Sequence, residues 1–272
     1  MTLFITKNGL YLQRNILNQG RKYFHQMTKI KKIKDIQTLS EDIKTEIRRF
    51  VVGYENISND LIITLLCGGH VLLEGIPGIA KTYLAKAFSG SLNLSMKRIQ
   101  ATPDLMPADI VGTRIYNPKT LEFEFRHGPI FSNLAVVDEI SRAPPKTQSA
   151  LLEAMQERQV TVDGFTLDLK EPFMVIATKN PIEFEGTFPL PEAQLDRFLM
   201  RPLMTYPGKK EEVEILSMKN IKGDMMDVKP AAEASTILSA QKLMHKDVQV
   251  SDGILDYIAE IVRNTRKHPK VM

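Results

Sequence analysis

Gly75-Ile76-Pro77-Gly78-Ile79-Ala80-Lys81-Thr82 is the stretch that decides the fold. Ahead of it stands Val71-Leu72-Leu73, a short apolar run flanked by glycines that reads as a buried strand. Behind it, Thr82 to Phe88 reads as a helix. Strand, glycine-rich loop and helix are the context that a phosphate-binding loop requires. Backbone N–H groups of such a turn can surround a phosphate, and the helix N-terminus adds its positive dipole end. Lys81 can reach the β- and γ-phosphates of a nucleotide, and the Thr82 hydroxyl can ligate Mg²⁺. All eight residues, Gly75, Ile76, Pro77, Gly78, Ile79, Ala80, Lys81 and Thr82, are therefore candidate nucleotide contacts. Ala80 stands where the usual pattern has Gly. Taken alone, the segment also reads as a strand–turn–helix corner with a surface lysine, so support has to come from elsewhere in the chain.

That support lies downstream. Leu134-Ala135-Val136-Val137 makes a second buried strand, and Asp138-Glu139 emerges at its C-terminal end. Ligands of open α/β sheets bind outside that end of the strands. Asp138 can hold Mg²⁺ through its waters, and Glu139 can polarise an attacking water as general base. Val175-Ile176-Ala177-Thr178-Lys179-Asn180 repeats the design, an apolar strand ending in an amide. Asn180 can orient the lytic water or touch the γ-phosphate; the plainer reading is a turn at Asn180-Pro181.

Working outward, strands are expected at 98–100, 134–137, 173–177 and near Leu203, with helical patterns between them, notably Thr147–Gln156. This alternation argues for a mostly parallel sheet with helices on both faces. Hairpins are expected around 113–125, turning at Asn117-Pro118, and over 160–169, turning at Asp163-Gly164. A helix is expected from Ser40 to Val52, another from Asn59 to Cys67, and three more over 211–219, 232–244 and 251–266. In the last of these, Ile254, Tyr257, Ile258 and Ile261 share a face.

The 272 residues carry a net charge of +4, but eight basic side chains and no acid fall in the first 34. Removing them leaves 28 basic against 32 acidic residues, so the body has a net charge of −4. The basic tail reads as a solvated or poorly ordered leader. It can also be a nucleic-acid arm, a membrane-surface segment or a targeting peptide, or the product of a start upstream of a true initiator at Met27. No apolar run approaches the ~18 residues of a membrane span. The single cysteine, Cys67, excludes an internal disulfide and a cysteine zinc site and fits the cytoplasm. Cys67 reads as a buried helix residue, His70 as structural and the thirteen methionines as core filler.

With these residues in view, the chain resembles the MoxR type of AAA+ ATPase over about residues 45–270. The matching stretches are Gly69–Gly75 running into Pro77–Thr82, Thr102-Pro103-Asp104-Leu105, Asp138-Glu139 with Arg142-Ala143-Pro144-Pro145-Lys146-Thr147-Gln148, Ala177–Pro181 and the long run Glu185–Phe198. The resemblance implies a P-loop NTPase α/β core, a parallel sheet between helices with a helix-2 insert and a pre-sensor hairpin, plus an α-helical lid. The expected division is a leader over 1–39, the core over 40–208 and the lid over 209–272. Ala before the Lys is a mark of the family. The resemblance also implies ATP and Mg²⁺ as cofactors and a ring, generally a hexamer, with ATP between subunits. Arg197 is then the arginine finger offered to a neighbour's γ-phosphate; the plain alternative is an ion pair within its own subunit, with Asp196 or a nearby acid. Arg142 is a weaker interface candidate. Hairpin aromatics such as Phe123, Phe125 and Phe165 face a pore or substrate in related rings, or pack locally.

Tyr54 departs from the family's Gln, Ser141 from its Asn and Lys179 from its Gln; none removes a catalytic group. The chain stops at Val271-Met272, before the family's Gly-Ala-Ser-Pro-Arg stretch with its second sensor arginine. A truncated lid and weakened hydrolysis or nucleotide affinity are the expectation. Family members act with von Willebrand factor A proteins in assembly or maturation of complexes, so a chaperone-like motor is the leading reading. The alternatives are a chelatase-type motor, an MCM-like nucleic-acid motor, against which the net −4 of the body argues, and a scaffold that binds nucleotide without hydrolysing it.

Overall fold

The computed structural model describes residues 30–182, 186–222 and 228–268. The leader as far as residue 29, with Met27, and the C-terminal stop lie outside them.

Three apolar runs become the centre of a five-stranded sheet. β1 (Val71–Gly75), β5 (Leu134–Asp138) and β8 (Met174–Lys179) lie inside it, flanked by β2 (Met96–Gln100) and β9 (Leu203–Met204). The order is β2-β5-β8-β1-β9 and every pairing is parallel. Continuous apolar runs, rather than alternating ones, follow from burial on both faces of a parallel sheet. Successive side chains go to opposite sides. Val71, Leu73, Leu134, Val136 and Ile176 join one core, and Leu72, Ala135, Val137, Val175 and Ala177 join the other.

The first core is closed by α1 (Ile33–Arg48), α2 (Glu55–Leu66), α3 (Lys81–Ser91) and α8 (Ala234–Asp247). The second is closed by α4 (Pro107–Val111), α5 (Pro145–Glu157) and the short α6 (Glu192–Leu195). α1 begins at Ile33, inside the segment read as leader and seven residues before Ser40. Ile36, Leu39, Ile43 and Ile47 form one buried stripe, and Asp35 accepts the backbone N–H groups of Lys31 and Lys32 at 2.8 and 2.9 Å. α7 (Lys209–Lys222) and α9 (Asp252–Thr265) complete the expected helices; the shared face of α9 is exposed. Among the described residues no helix is long and apolar enough to cross a membrane.

Cys67 is a correction. It caps the C-terminus of α2 and is exposed. Gly68, at φ 66°, donates to Leu65 O at 3.0 Å, and Gly69 donates to Thr64 O at 2.8 Å. This paired ending turns the chain out of the helix at Cys67 and holds its side chain off the core. The methionines divide: Met155, Met174 and Met204 are core, whereas Met106 is 59% exposed.

Both hairpins form. β3 (Gly112–Asn117) pairs antiparallel with β4 (Glu122–His127), and β6 (Gln159–Val162) with β7 (Phe165–Asp168). Asp163 and Gly164 have φ of 50° and 81°, the pair of positive angles that a tight two-residue hairpin turn demands. Phe125 packs locally against His127 and Phe131. Phe123 and Phe165 are both exposed, yet the Arg114 guanidinium lies over both rings, 5.4 and 4.9 Å from their centroids, and so clasps the two hairpins together.

His70 is structural, as its place before β1 suggests. Its Nε2 bonds Met155 O at 3.0 Å and its Nδ1 accepts the Val175 N–H at 2.9 Å, tying α5 to β8. The ring is therefore the neutral Nε2–H form. Burial, helped by the nearby Arg158 charge, pushes it down from 6.5 to about 4. The unfolded chain then binds the extra proton first as the solution is acidified. The stabilisation is complete above about pH 6.5 and is lost as pH falls toward 4, by about 2 kcal/mol on reaching pH 5. Urea unfolding at about pH 7.5 and 5 should show wild type losing that much more stability than His70→Gln. Equal losses would mean that the ring is not held neutral.

Candidate functional site

The site grows out of the C-terminal edge of the sheet. Adjacent strands β5, β8 and β1 end there in Asp138, Asn180 and the Gly75–Thr82 loop, because Leu73 is opposite Thr178 and Val137 opposite Ala177. Two residues give the loop its path. Gly78 has φ 83° and Ala80 has φ 67°, both left-handed. This explains the Gly of the usual pattern: the position requires αL backbone, which Ala adopts with strain and a β-branched residue scarcely at all. Ala80→Gly is expected to match or slightly exceed wild-type melting temperature with nucleotide affinity retained. Ala80→Val is expected to be less stable by about 1–3 kcal/mol and to bind nucleotide poorly. Thermal melts and nucleotide titration check both, and wild-type behaviour of Ala80→Val would show that the loop does not need this backbone. Gly75 meets a different demand. A Cβ there would lie 2.4 Å from Ile79 Cδ1 and 2.8 Å from Met204 O, so β9 closes directly over it.

Lys81 opens α3 and bends back over the loop, donating to Gly75 O and, at 3.1 Å, to Ile76 O. Its ammonium thus lies against two carbonyl oxygens of the loop. Thr82 donates its hydroxyl to Asp138 Oδ1 at 2.9 Å. Asp138 is 4% exposed. Thr178 sits between the two acids: its Oγ1 accepts the Glu139 N–H at 2.9 Å and lies 3.5 Å from Asp138 Oδ1. Glu139 leaves the strand in the left-handed region, φ 58° and ψ 51°, and its Oε2 is 3.0 Å from Arg142 Nε. Arg142, read from sequence as a weaker interface candidate, pairs with an acid of its own chain.

Asn180 is 8% exposed, and its Oδ1 accepts the Ile182 N–H at 3.2 Å, the turn geometry that was the plainer expectation. Arg197 lies apart from this cluster in its bonding. It is exposed just beyond α6 and donates Nη1 to Leu152 O of α5 at 2.9 Å. It forms no ion pair with Asp196. The structure thus brings Lys81, Thr82, Asp138 and Glu139 to one edge, with Asn180 at the neighbouring strand end, and leaves Arg197 on the α5–α6 surface.

Two contributors escaped sequence reasoning. Thr178 stands within an apolar strand, with no role of its own legible there. Arg98 of β2 pairs its Nε with Asp138 Oδ2 at 2.5 Å, from a strand position that carries no motif. Its signal was the pleat alone: β2 lies beside β5, with Arg98 opposite Val136 and Gln100 opposite Asp138. Among the described residues no cluster of three or more His, Cys, Asp or Glu could cage an ion. One hydroxyl and one buried carboxylate, completed by phosphate oxygens and waters, are a donor set that suits Mg²⁺.

Loop and strand order together define an α/β core of the P-loop, AAA+ kind. The family model of the ATPase family associated with various cellular activities (AAA) matches residues 70–200. The chain is 47% identical over 237 residues to YeaC, an uncharacterized protein of Bacillus subtilis, covering 87% of this chain and 74% of that protein. It is 42% identical over 233 residues to Chaperone MoxR1 of Mycobacterium tuberculosis, covering 86% of this chain and 61% of that protein. A crystal structure of a candidate ATPase from Cytophaga hutchinsonii superposes with a TM-score of 0.77 at 39% identity, covering 92% of this chain and 73% of that one. This chain belongs to the MoxR family of AAA+ ATPases.

Proposed function

We infer that this chain binds and hydrolyses ATP at the Gly75–Thr82 loop, and that it is a chaperone-like motor in the assembly or maturation of partner protein complexes. The observation that carries the ATPase reading is the 2.9 Å bond from Thr82 to Asp138, which joins two motifs 56 residues apart at one edge of the sheet.

In this reading the loop N–H groups and Lys81 hold the phosphates, and Lys81 exchanges its bonds to Gly75 O and Ile76 O for phosphate oxygens. Thr82 and, through water, Asp138 would hold Mg²⁺, which would supply positive charge against the phosphates. Glu139 takes a proton from the attacking water as general base, Arg142 steadying its carboxylate. Asn180 orients that water. Residues 40–208 act as the ATPase core and 209–272 as the helical part that follows it. Arg197 serves the ATP of a neighbouring subunit, so the working form is a ring, generally a hexamer. A von Willebrand factor A protein is the proposed partner class, and the reducing cytoplasm suits a chain with one cysteine. The mycobacterial relative is named a chaperone, which supports the motor reading. This chain spans 61% of that relative's length, so the activity and partners of the whole protein are part of the proposal.

The test is steady-state ATP turnover with Mg²⁺ by the purified protein, alongside its mass in solution with and without nucleotide. Nucleotide binding without turnover would leave a scaffold. Absence of nucleotide binding would sink the reading. Co-purification of a von Willebrand factor A protein with wild type, lost with Lys81→Ala, tests the motor role.

A further inference from the structure

Asp138 is shared between two kinds of partner. One oxygen, Oδ1, accepts from Thr82 and faces Thr178. The other, Oδ2, is taken by Arg98 Nε at 2.5 Å. The two side chains differ sharply in setting: that of Asp138 is 6% exposed and that of Arg98 is 51% exposed. A fixed, dry carboxylate therefore meets a cation that reaches it from solvent. The guanidinium is also aimed, because Nη2 donates to Gln100 Oε1 at 2.9 Å. The ion pair is not needed to attach the strand that carries it. β2 is held to β5 over five consecutive positions, Met96 to Gln100. A half-exposed ion pair adds little to stability in any case. Its position does matter, since it occupies an oxygen of the acid that the magnesium reading requires.

We propose that Arg98 is a positioning residue that sets the Mg²⁺ affinity of the nucleotide site by competing for the Asp138 carboxylate. This rests on the reading of Thr82 and Asp138 as the magnesium-holding pair. Arg98 holds the carboxylate by Oδ2 and so keeps Oδ1 aimed at Thr82 before magnesium arrives. The same positive charge then opposes a second cation on that acid, so magnesium is held more weakly than Thr82 and Asp138 alone would hold it. The two cations are thermodynamically linked through one carboxylate. Removing Arg98 therefore tightens magnesium binding. It does not tighten binding of nucleotide without metal, because no second cation then competes for Asp138.

The experiment is done in a Glu139→Gln background, which prevents turnover. Magnesium is titrated against protein with a fixed concentration of fluorescent ATP analogue, and the midpoint is read; binding in EDTA is measured separately. Arg98→Gln and Arg98→Met, the latter keeping the aliphatic stem, should each lower the midpoint on the order of tenfold, an ordinary size for coupled binding. Arg98→Lys, which keeps the charge, should stay within about threefold of the parent. Affinity in EDTA should be unchanged or weaker in the uncharged variants. A midpoint that stays put or rises in both, while the analogue still binds, would overturn the proposal. Tightening by Arg98→Lys equal to that of Arg98→Gln would overturn it too, since charge would then not be the cause. If the parent binds the analogue with no response to magnesium, the magnesium reading of the site fails and takes this inference with it.

Discussion

Arg197→Ala should lower ATP turnover by about 10³-fold or more, the scale of an arginine finger's contribution, while ATP binding stays near wild type. Nucleotide binding is spared because the bonds of Arg197 are made elsewhere: its Nη1 reaches Leu152 O on α5, whereas the phosphate loop is held by Lys81 and Thr82. An exposed guanidinium tethered by one bond is available to a neighbour. A rate defect alone does not separate a role in trans from one within the subunit. Mixing does. Lys81→Ala subunits keep the finger and lack the phosphate lysine; Arg197→Ala subunits have the reverse. Each should be nearly inactive alone. Co-assembled in equal amounts, about a quarter of the interfaces in a closed ring join an intact loop to an intact finger, and turnover should recover to that extent. No recovery in mixed rings of confirmed size would place the action of Arg197 inside its own chain. Full turnover by Arg197→Ala alone would dismiss it as a finger.

Glu139→Gln should lower turnover by about 10²–10⁴-fold and leave the affinity for Mg²⁺–ATP almost unchanged. The amide keeps the shape of the carboxylate but accepts no proton. The backbone that presents it also stays, because the left-handed turn at residue 139 is fixed by the bond from its own N–H to Thr178 Oγ1. The substitution does break the 3.0 Å ion pair with Arg142. Arg142→Ala is the control for that loss. Its effect should be much the smaller, since it takes away orientation but not the base. Turnover is read under single-turnover conditions, so that product release does not mask the chemical step. Wild-type turnover by Glu139→Gln would assign the base elsewhere.

Most of the site was legible because its positions are dictated by strong local physics. Strands buried on both faces appear as unbroken apolar runs, and the residues after such runs fall at the ligand edge of a parallel sheet. Asp138, Glu139 and Asn180 were found in that way, and the sheet pairs the three strands as adjacent neighbours. Asp163-Gly164 was equally plain, since few pairs tolerate two positive φ angles. What escaped depended on partners distant in sequence or on a masked pattern. The start of α1 was hidden by Lys31, Lys32 and Lys34, whose run of charge masks the helical spacing of Ile36 and Leu39. Cys67 sits between an apolar helix and a buried strand, and only the paired bonds of Gly68 and Gly69 turn it outward. Arg98 meets Asp138 across 40 residues, and nothing near it in the chain announces a carboxylate. Asn180 makes the local bond to Ile182 that an Asn-Pro turn announces.

The alternation of β5 between two cores also governs which changes of chain length the protein can accept. Val136 belongs to one core and Val137 to the other, and Asp138 follows on the same pleat. Inserting or deleting a single residue upstream in that strand would exchange the two sets of side chains and turn the acid away from Thr82. The hydrophobic sorting of the strand and the aim of its carboxylate are therefore set by one register. A change of length is better accommodated where no such phase applies, such as the longer turn between β3 and β4.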